Sequence, residues 1–217
     1  MTLTFPADLA VLADKLPVLS VTWRLDRYDE LSGLGTGELL AAQLAPPRWA
    51  ADVTLKPMRH GEAAQVQAHI ESLDGAINSF YLYAPQMKYP QADPGGVLLS
   101  SAVPSIHTIG GNNKSLRLKD LPSGYKLTVG DFLAFDYGSN PQRRAFHRIA
   151  ESATANSSGI TPVFEVRPHL RPGVAVDLVV IVKEPAAKVF NVPGSFNAGT
   201  AMGVWTEGMS FQVMQRP

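Results

Sequence analysis

The chain has no cysteine among its 217 residues. That excludes disulfide frameworks, thiol nucleophiles, and zinc ribbons or fingers at once. It has no charge excess of either sign, since 19 Lys and Arg balance 19 Asp and Glu. A protein that grips nucleic acid or an anionic membrane usually carries a basic surplus that releases counterions, so neither task is expected. Long hydrophobic runs are missing too, and the longest beyond the N-terminus, Leu178–Val182, is far too short to cross a bilayer. At the N-terminus Asp8, Asp14 and Lys15 interrupt Leu9, Val11, Leu12 and Leu16, with no basic lead-in. Neither a signal peptide nor membrane insertion is expected, and synthesis in a cytoplasm follows. Charged residues amount to 18% and hydrophobic ones to 45%. The chain is therefore globular, and its modest charge suits a surface partly covered by neighbouring subunits.

Glycine and proline, by contrast, are plentiful, at 18 and 17 residues. Spread along the whole chain, they suit many short strands joined by turns. Leu19, Val21, Trp23 and Leu25 alternate with Ser20, Thr22, Arg24 and Asp26, the period of a half-buried strand. The pattern returns at Trp49, Ala51, Val53 and Leu55. Between the two, Gly33, Gly35 and Gly37 mark a turn, and Glu38–Leu44 fits a strand or a helix. One helix is expected over about 62–73, where Ala63, Val66, Ile70 and Leu73 form an apolar stripe between Gly61 and Gly75. Phe80–Ala84 reads as the next strand, and Lys88–Gly96 as a loop.

Further strands follow at Leu116–Leu118, Asp131–Tyr137, Ala145–Ile149 and Val163–Arg167, closely spaced as in a small barrel resembling an OB-fold. After Pro172 and Gly173, Val174–Val182 reads as a strand buried on both sides. The expected fold class is mainly β with one amphipathic helix. A sandwich or barrel-like domain built from 1–97 and 173–217 would carry an inserted small barrel at 98–172.

Chemistry is harder to find. The run Gly33-Leu-Gly-Thr-Gly-Glu38 lacks the Lys and the Ser or Thr that a phosphate loop needs after its last glycine. The histidines His60, His69, His107, His147 and His169 show no metal-ligand spacing. His147 within Arg143–Arg148 and His169 within Arg167–Arg171 would make a basic anion site if the fold joined them. The plainer alternative is a solvated or interface edge. Asp29 and Glu30 are a carboxylate pair without a cleft to suggest a glycosidase, and no nucleophile elbow is present. Phe80, Tyr81, Tyr83 and Tyr89 could stack sugars, or serve as core and subunit contact. No catalytic residue, cofactor or metal is assigned, and no enzyme is expected.

Three stretches carry a family resemblance: Leu121-Pro-Ser-Gly-Tyr-Lys-Leu-Thr-Val-Gly-Asp-Phe132, Arg144-Ala-Phe-His-Arg-Ile-Ala150, and, after Gly159, Val163-Phe-Glu-Val-Arg-Pro-His-Leu-Arg-Pro172. Together with the Trp-bearing strand, the helix and Phe80-Tyr-Leu-Tyr83, they resemble the distal tail proteins of long-tailed phages and gene-transfer agents, over about residues 18–214. The resemblance implies a structural protein at the virion tail tip: a homohexameric ring, peripheral barrel included, that joins the tail tube to the hub and fibre proteins. DNA would pass transiently through its bore; charge repulsion alone makes carboxylates such as Asp26 or Asp29 candidate lining residues. Alternative roles are another baseplate or hub component, or a carbohydrate-binding module for host surface glycans.

Overall fold

The computed structural model describes residues 4–216. The alternation around Leu19–Asp26 produces a strand that runs well beyond it. β1 covers Val18–Gly33 and pairs antiparallel with β2, Leu39–Leu55, so Glu38–Leu44 contributes strand. Then come β3 (Met58–Arg59), α1 (His60–Glu71) and β4 (Phe80–Leu82). The middle of the chain supplies β5 (Ser105–Ile109), β6 (Ser115–Lys119), β7 (Lys126–Leu127) and β8 (Phe132–Tyr137). It continues with β9 (Arg143–Ile149), β10 (Ala153–Thr154), β11 (Phe164–Arg167) and β12 (Val180–Ile181). β13 (Ala187–Asn191), β14 (Thr200–Met202), β15 (Trp205–Glu207) and β16 (Ser210–Gln215) complete it. The fold is mainly β, as expected, and no helix among the described residues is long and apolar enough to cross a membrane.

The first sheet has the order β1-β2-β16-β13-β4. α1 lays Ala63, Val66 and Ile70, with Leu73 just beyond it, into the same core as Val21, Val53, Phe80 and Phe211. The expected stripe is therefore the buried one. The helix begins at His60 rather than near 62, so Gly61 lies inside it. The Glu62 carboxylate accepts the Arg59 backbone N–H at 3.1 Å, which caps the helix early. Asp74 and Gly75, both at positive φ, end the turn that follows it.

The second sheet, β12-β8-β9-β11-β6-β5, is a barrel that closes through an isolated bridge between Ser105 and Val179. Ile106 N–H donates to Leu178 at 3.0 Å and Val180 N–H to Pro104 at 2.8 Å across that seam. Closure corrects two expectations. Val174–Val182 is not one buried strand: Val176 and Val179 are half-exposed, and beyond the single bridge at Val179 only Val180–Ile181 is paired. Pro172-Gly173 and the positive φ of Asp177 break the run. Val180 and Val182 pack with Ile106, Leu133 and Phe135, so 173–182 belongs to the barrel and the chain leaves it after Val182, not at 172.

One glycine in the barrel is obligatory. Gly159 has φ +72, and a β-carbon there would meet the Leu121 carbonyl oxygen far inside contact distance. Gly159→Ala should destabilise by roughly 2–3 kcal/mol, read as a lower denaturation midpoint at unchanged slope.

The two cores share a wall. Leu133 and Phe135 of β8 point into the barrel, while Phe132 and Ala134 point into the first core, joined by Phe146 of β9. This explains why Asp131–Tyr137 is apolar on both faces. Trp49 sits 5.5 Å from Phe132 and 5.7 Å from Phe146, and its indole N–H donates to the Phe146 carbonyl at 2.8 Å. Trp23 closes the cluster 5.0 Å from Phe146, and the Arg148 guanidinium lies over Trp49 and Phe132 at 4.9 and 4.7 Å.

Candidate functional site

β16 pairs with β2 only between Ala50 and Thr54, so the outer half of β2 has β1 alone beside it. From Arg27 to Leu44 every residue is exposed, making a free-standing hairpin arm. Its paired part beyond Tyr28 is about 20 Å long at about 3.3 Å per residue. Opposite Arg27 come Pro46 and Pro47, which have no N–H to give a ladder. The register slips there, with Asp26 facing Arg48 but Tyr28 facing Ala45. At the tip, Gly37 N–H donates to Leu34 at 2.9 Å and Leu34 N–H to Glu38 at 2.8 Å. The glycine run is thus a hairpin turn.

The arm is unusually apolar for a free hairpin. Leu31 and Leu39 are each 65% exposed, Leu40 51% and Leu44 68%. Both long edges of the arm are also unpaired, and exposed edges of this kind in soluble proteins are normally charged, short or covered. The segment between Arg27 and Arg48 holds Asp29, Glu30 and Glu38 and no basic residue. Asp29 takes Arg27 at 2.6 Å, and Asp26 lies 3.2 Å from Arg24. Both candidate bore carboxylates are therefore already paired with arginines, which removes much of the negative potential that suggested them.

At the root of the arm a groove of about 200 Å³ opens between Leu25, Arg27, Gln43, Pro46 and Pro47 on one side and Arg167–Pro172 on the other. No family model and no curated protein matches the chain. The groove must be read from its own residues. Leu25, Leu170 and four prolines make its walls apolar, while Arg27, Arg167, His169 and Arg171 rim it. Arg27 and Arg167 have carboxylate partners, Asp29 and Glu165. Arg171 has none among the described residues, nor do Arg48 and Arg143 near it. Burial holds the Arg171 guanidinium below its ordinary pKa, against an upward pull from Tyr137 and with smaller downward pushes from Arg48 and Arg143. Burial, Lys114, Arg167 and Arg27 likewise push His169 down, against a smaller upward pull from Glu165.

The two basic stretches therefore meet only in part. Arg143 and Arg171 reach the same region, but Arg144 is held by Asp136 at 2.5 and 2.9 Å, and Arg148 turns into the aromatic wall. His147 is fully buried, and its Nδ1 donates to the Pro168 carbonyl at 2.8 Å. It fixes the loop that carries His169 and Arg171, and with them and Arg144 it lines only a cleft of about 10 Å³. Sequence reasoning missed Arg48 and the arm leucines. The consecutive prolines at 46 and 47, inside an otherwise strand-like stretch, were the available signal for a bulge and a break in burial.

The aromatic residues do not make a shared sugar platform. Phe80 is wholly buried, the Arg144 guanidinium covers Tyr81 at 4.6 Å, and Tyr83 donates to Asp14 at 3.0 Å. Tyr89 lies between Lys88 and Lys183, 5.7 and 5.5 Å from its ring.

Proposed function

We propose that this chain is a self-assembling structural subunit, and that the β1–β2 arm is the joint through which copies are held together. The observation that carries this reading is the arm itself: five exposed leucines, four of them at least half exposed, on a free hairpin with both edges unpaired. Each leucine buried in a subunit contact contributes about 1.5–3 kcal/mol at most, so four of them supply the core of a stable interface. An edge strand gives such a contact its backbone hydrogen bonds as well. The sequence resemblance supplies the setting, a distal tail ring between the tube and the tip of a phage tail. That role needs shape and contacts, and no catalytic group. The neutral balance of charge fits a bore through which DNA slides without being clamped.

Light scattering across a concentration series, with negative-stain images of the same sample, tests this. The expected species is six copies of the 23.4 kDa chain, about 140 kDa, with an open centre. Changing Leu31, Leu39, Leu40 and Leu44 together to Ser should return the mass to that of one chain while leaving the β-type circular dichroism intact. A wild-type monomer at every concentration, or an assembled quadruple variant, would overturn the reading.

A further inference from the structure

The groove at the arm's root has the chemistry to receive a particular kind of chain. Arg171 on its rim has no carboxylate partner among the described residues, and neither do Arg48 and Arg143, which lie near enough to repel it. A guanidinium left partly buried beside two others is costly, and it is stabilised when a carboxylate docks against it. The cavity, about 200 Å³, is smaller than the roughly 300–1,000 Å³ of small-molecule pockets and suits a protein side chain.

Its lining narrows the occupant further. No Phe, Tyr or Trp lines it, and Gln43 and His169 are its only uncharged polar side chains. A sugar, which needs rings to stack on and polar groups to read its hydroxyls, is poorly served. Asp29 and Glu165 flank the rim beside their arginines, so a run of phosphates would meet two negative charges as it passed. What fits is a carboxylate next to an aliphatic side chain. The chain carries that pairing on its own surface. At the arm tip, Glu30 adjoins Leu31 and Glu38 adjoins Leu39, and neither glutamate has an ion-pair partner among the described residues.

We propose that the groove seats the acidic, leucine-bearing arm tip of a second copy of this chain. The proposal rests on the reading of the arm as an assembly joint and names what the joint fits into. Tip and groove are different patches of one molecule, so the contact is heterologous and each copy gives a tip and receives one. Repetition of such a contact ends only by closing into a ring or extending into a filament. The docked glutamate lies against Arg171, and the leucine beside it enters the wall of Leu25, Leu170 and the prolines.

The absence of native cysteine permits a direct test. Thr36→Cys at the tip and Gln43→Cys in the groove lining are made separately on the full chain, with tags of different size, then mixed and treated with a short bismaleimide. Mixed dimers should exceed either self-linked dimer by about tenfold, and a charge-reversing Arg171→Glu in the Gln43→Cys partner should remove that excess. An assembled mass with no excess of mixed dimers would overturn the groove assignment while leaving the arm as a joint. Mixed dimers from a protein that scatters as a monomer would support the groove and count against the ring. A monomer without mixed dimers would overturn both.

Discussion

Trp49→Ala should destabilise the protein by about 3–5 kcal/mol, the range for emptying a buried aromatic site that cannot collapse. The indole is 1% exposed and holds several contacts at once. It meets Phe132, Phe146 and Trp23 edge-on, carries Arg148 over its face, and donates to the Phe146 carbonyl. Removal leaves a cavity between two cores, strips Arg148 of one ring, and orphans a buried carbonyl. Chemical denaturation monitored by circular dichroism measures the loss. Trp205→Ala is the control: that ring is 45% exposed on β15, and its removal should change stability by no more than about 0.5 kcal/mol. Equal effects at the two tryptophans would refute the assignment of the shared wall to Trp49.

A second large effect concerns acid. His147 is 3% exposed, stacks 5.5 Å from Phe135, and burial drives its pKa down from 6.5 to about 4, against a smaller upward pull from the Pro168 carbonyl. The folded state therefore holds the imidazole neutral where the unfolded chain would bind a proton. Between pH 6.5 and about 4 the unfolded state carries more protons, so stability rises with pH across that window. The contribution is intact above pH 6.5, falls as pH drops below it, and is fully lost below about 4. The total is on the order of 3 kcal/mol. Other groups titrate in the same range, so the informative quantity is a difference. Unfolding free energies of the wild type and of His147→Gln, measured from pH 7 to 4, should diverge above pH 6 and converge in acid. Parallel curves would mean that folding leaves the His147 pKa unchanged.

Much of the fold was legible in the sequence because its elements announce themselves locally. The Leu19–Asp26 alternation, the Ala63–Leu73 stripe and the two-faced apolarity of Phe132–Phe135 each depend on a few neighbouring residues. The errors lie where distant contacts decide. Val174–Val182 is β-branched, yet most of it is loop because the barrel seam needs only Leu178–Ile181 to bridge β5 and β8. The boundary expected at Pro172 follows the breaker residues, whereas the packing of Val180 and Val182 follows the barrel. The candidate site was only half visible. Arg171 and His169 stood out as part of a basic stretch, but Arg48 reaches their neighbourhood through a bulge more than a hundred residues away in sequence. Nor does a leucine's letter say whether it will be covered, and Leu40 reads like Leu55 until the extent of β16 is known.

The common wall of Phe132, Phe146 and Trp49 also bears on how such a protein can diversify. A domain joined by a flexible tether can be exchanged like a cassette, since little of the host depends on it. Here one face of β8–β9 completes the core of the other domain, so a replacement would have to bring its own matching rings. Lineages descended from this chain are free to vary the barrel's exposed turn at Gly111–Asn113. They are bound to conserve the shape of the near side. Novelty is confined to the rim, and inheritance to the seam.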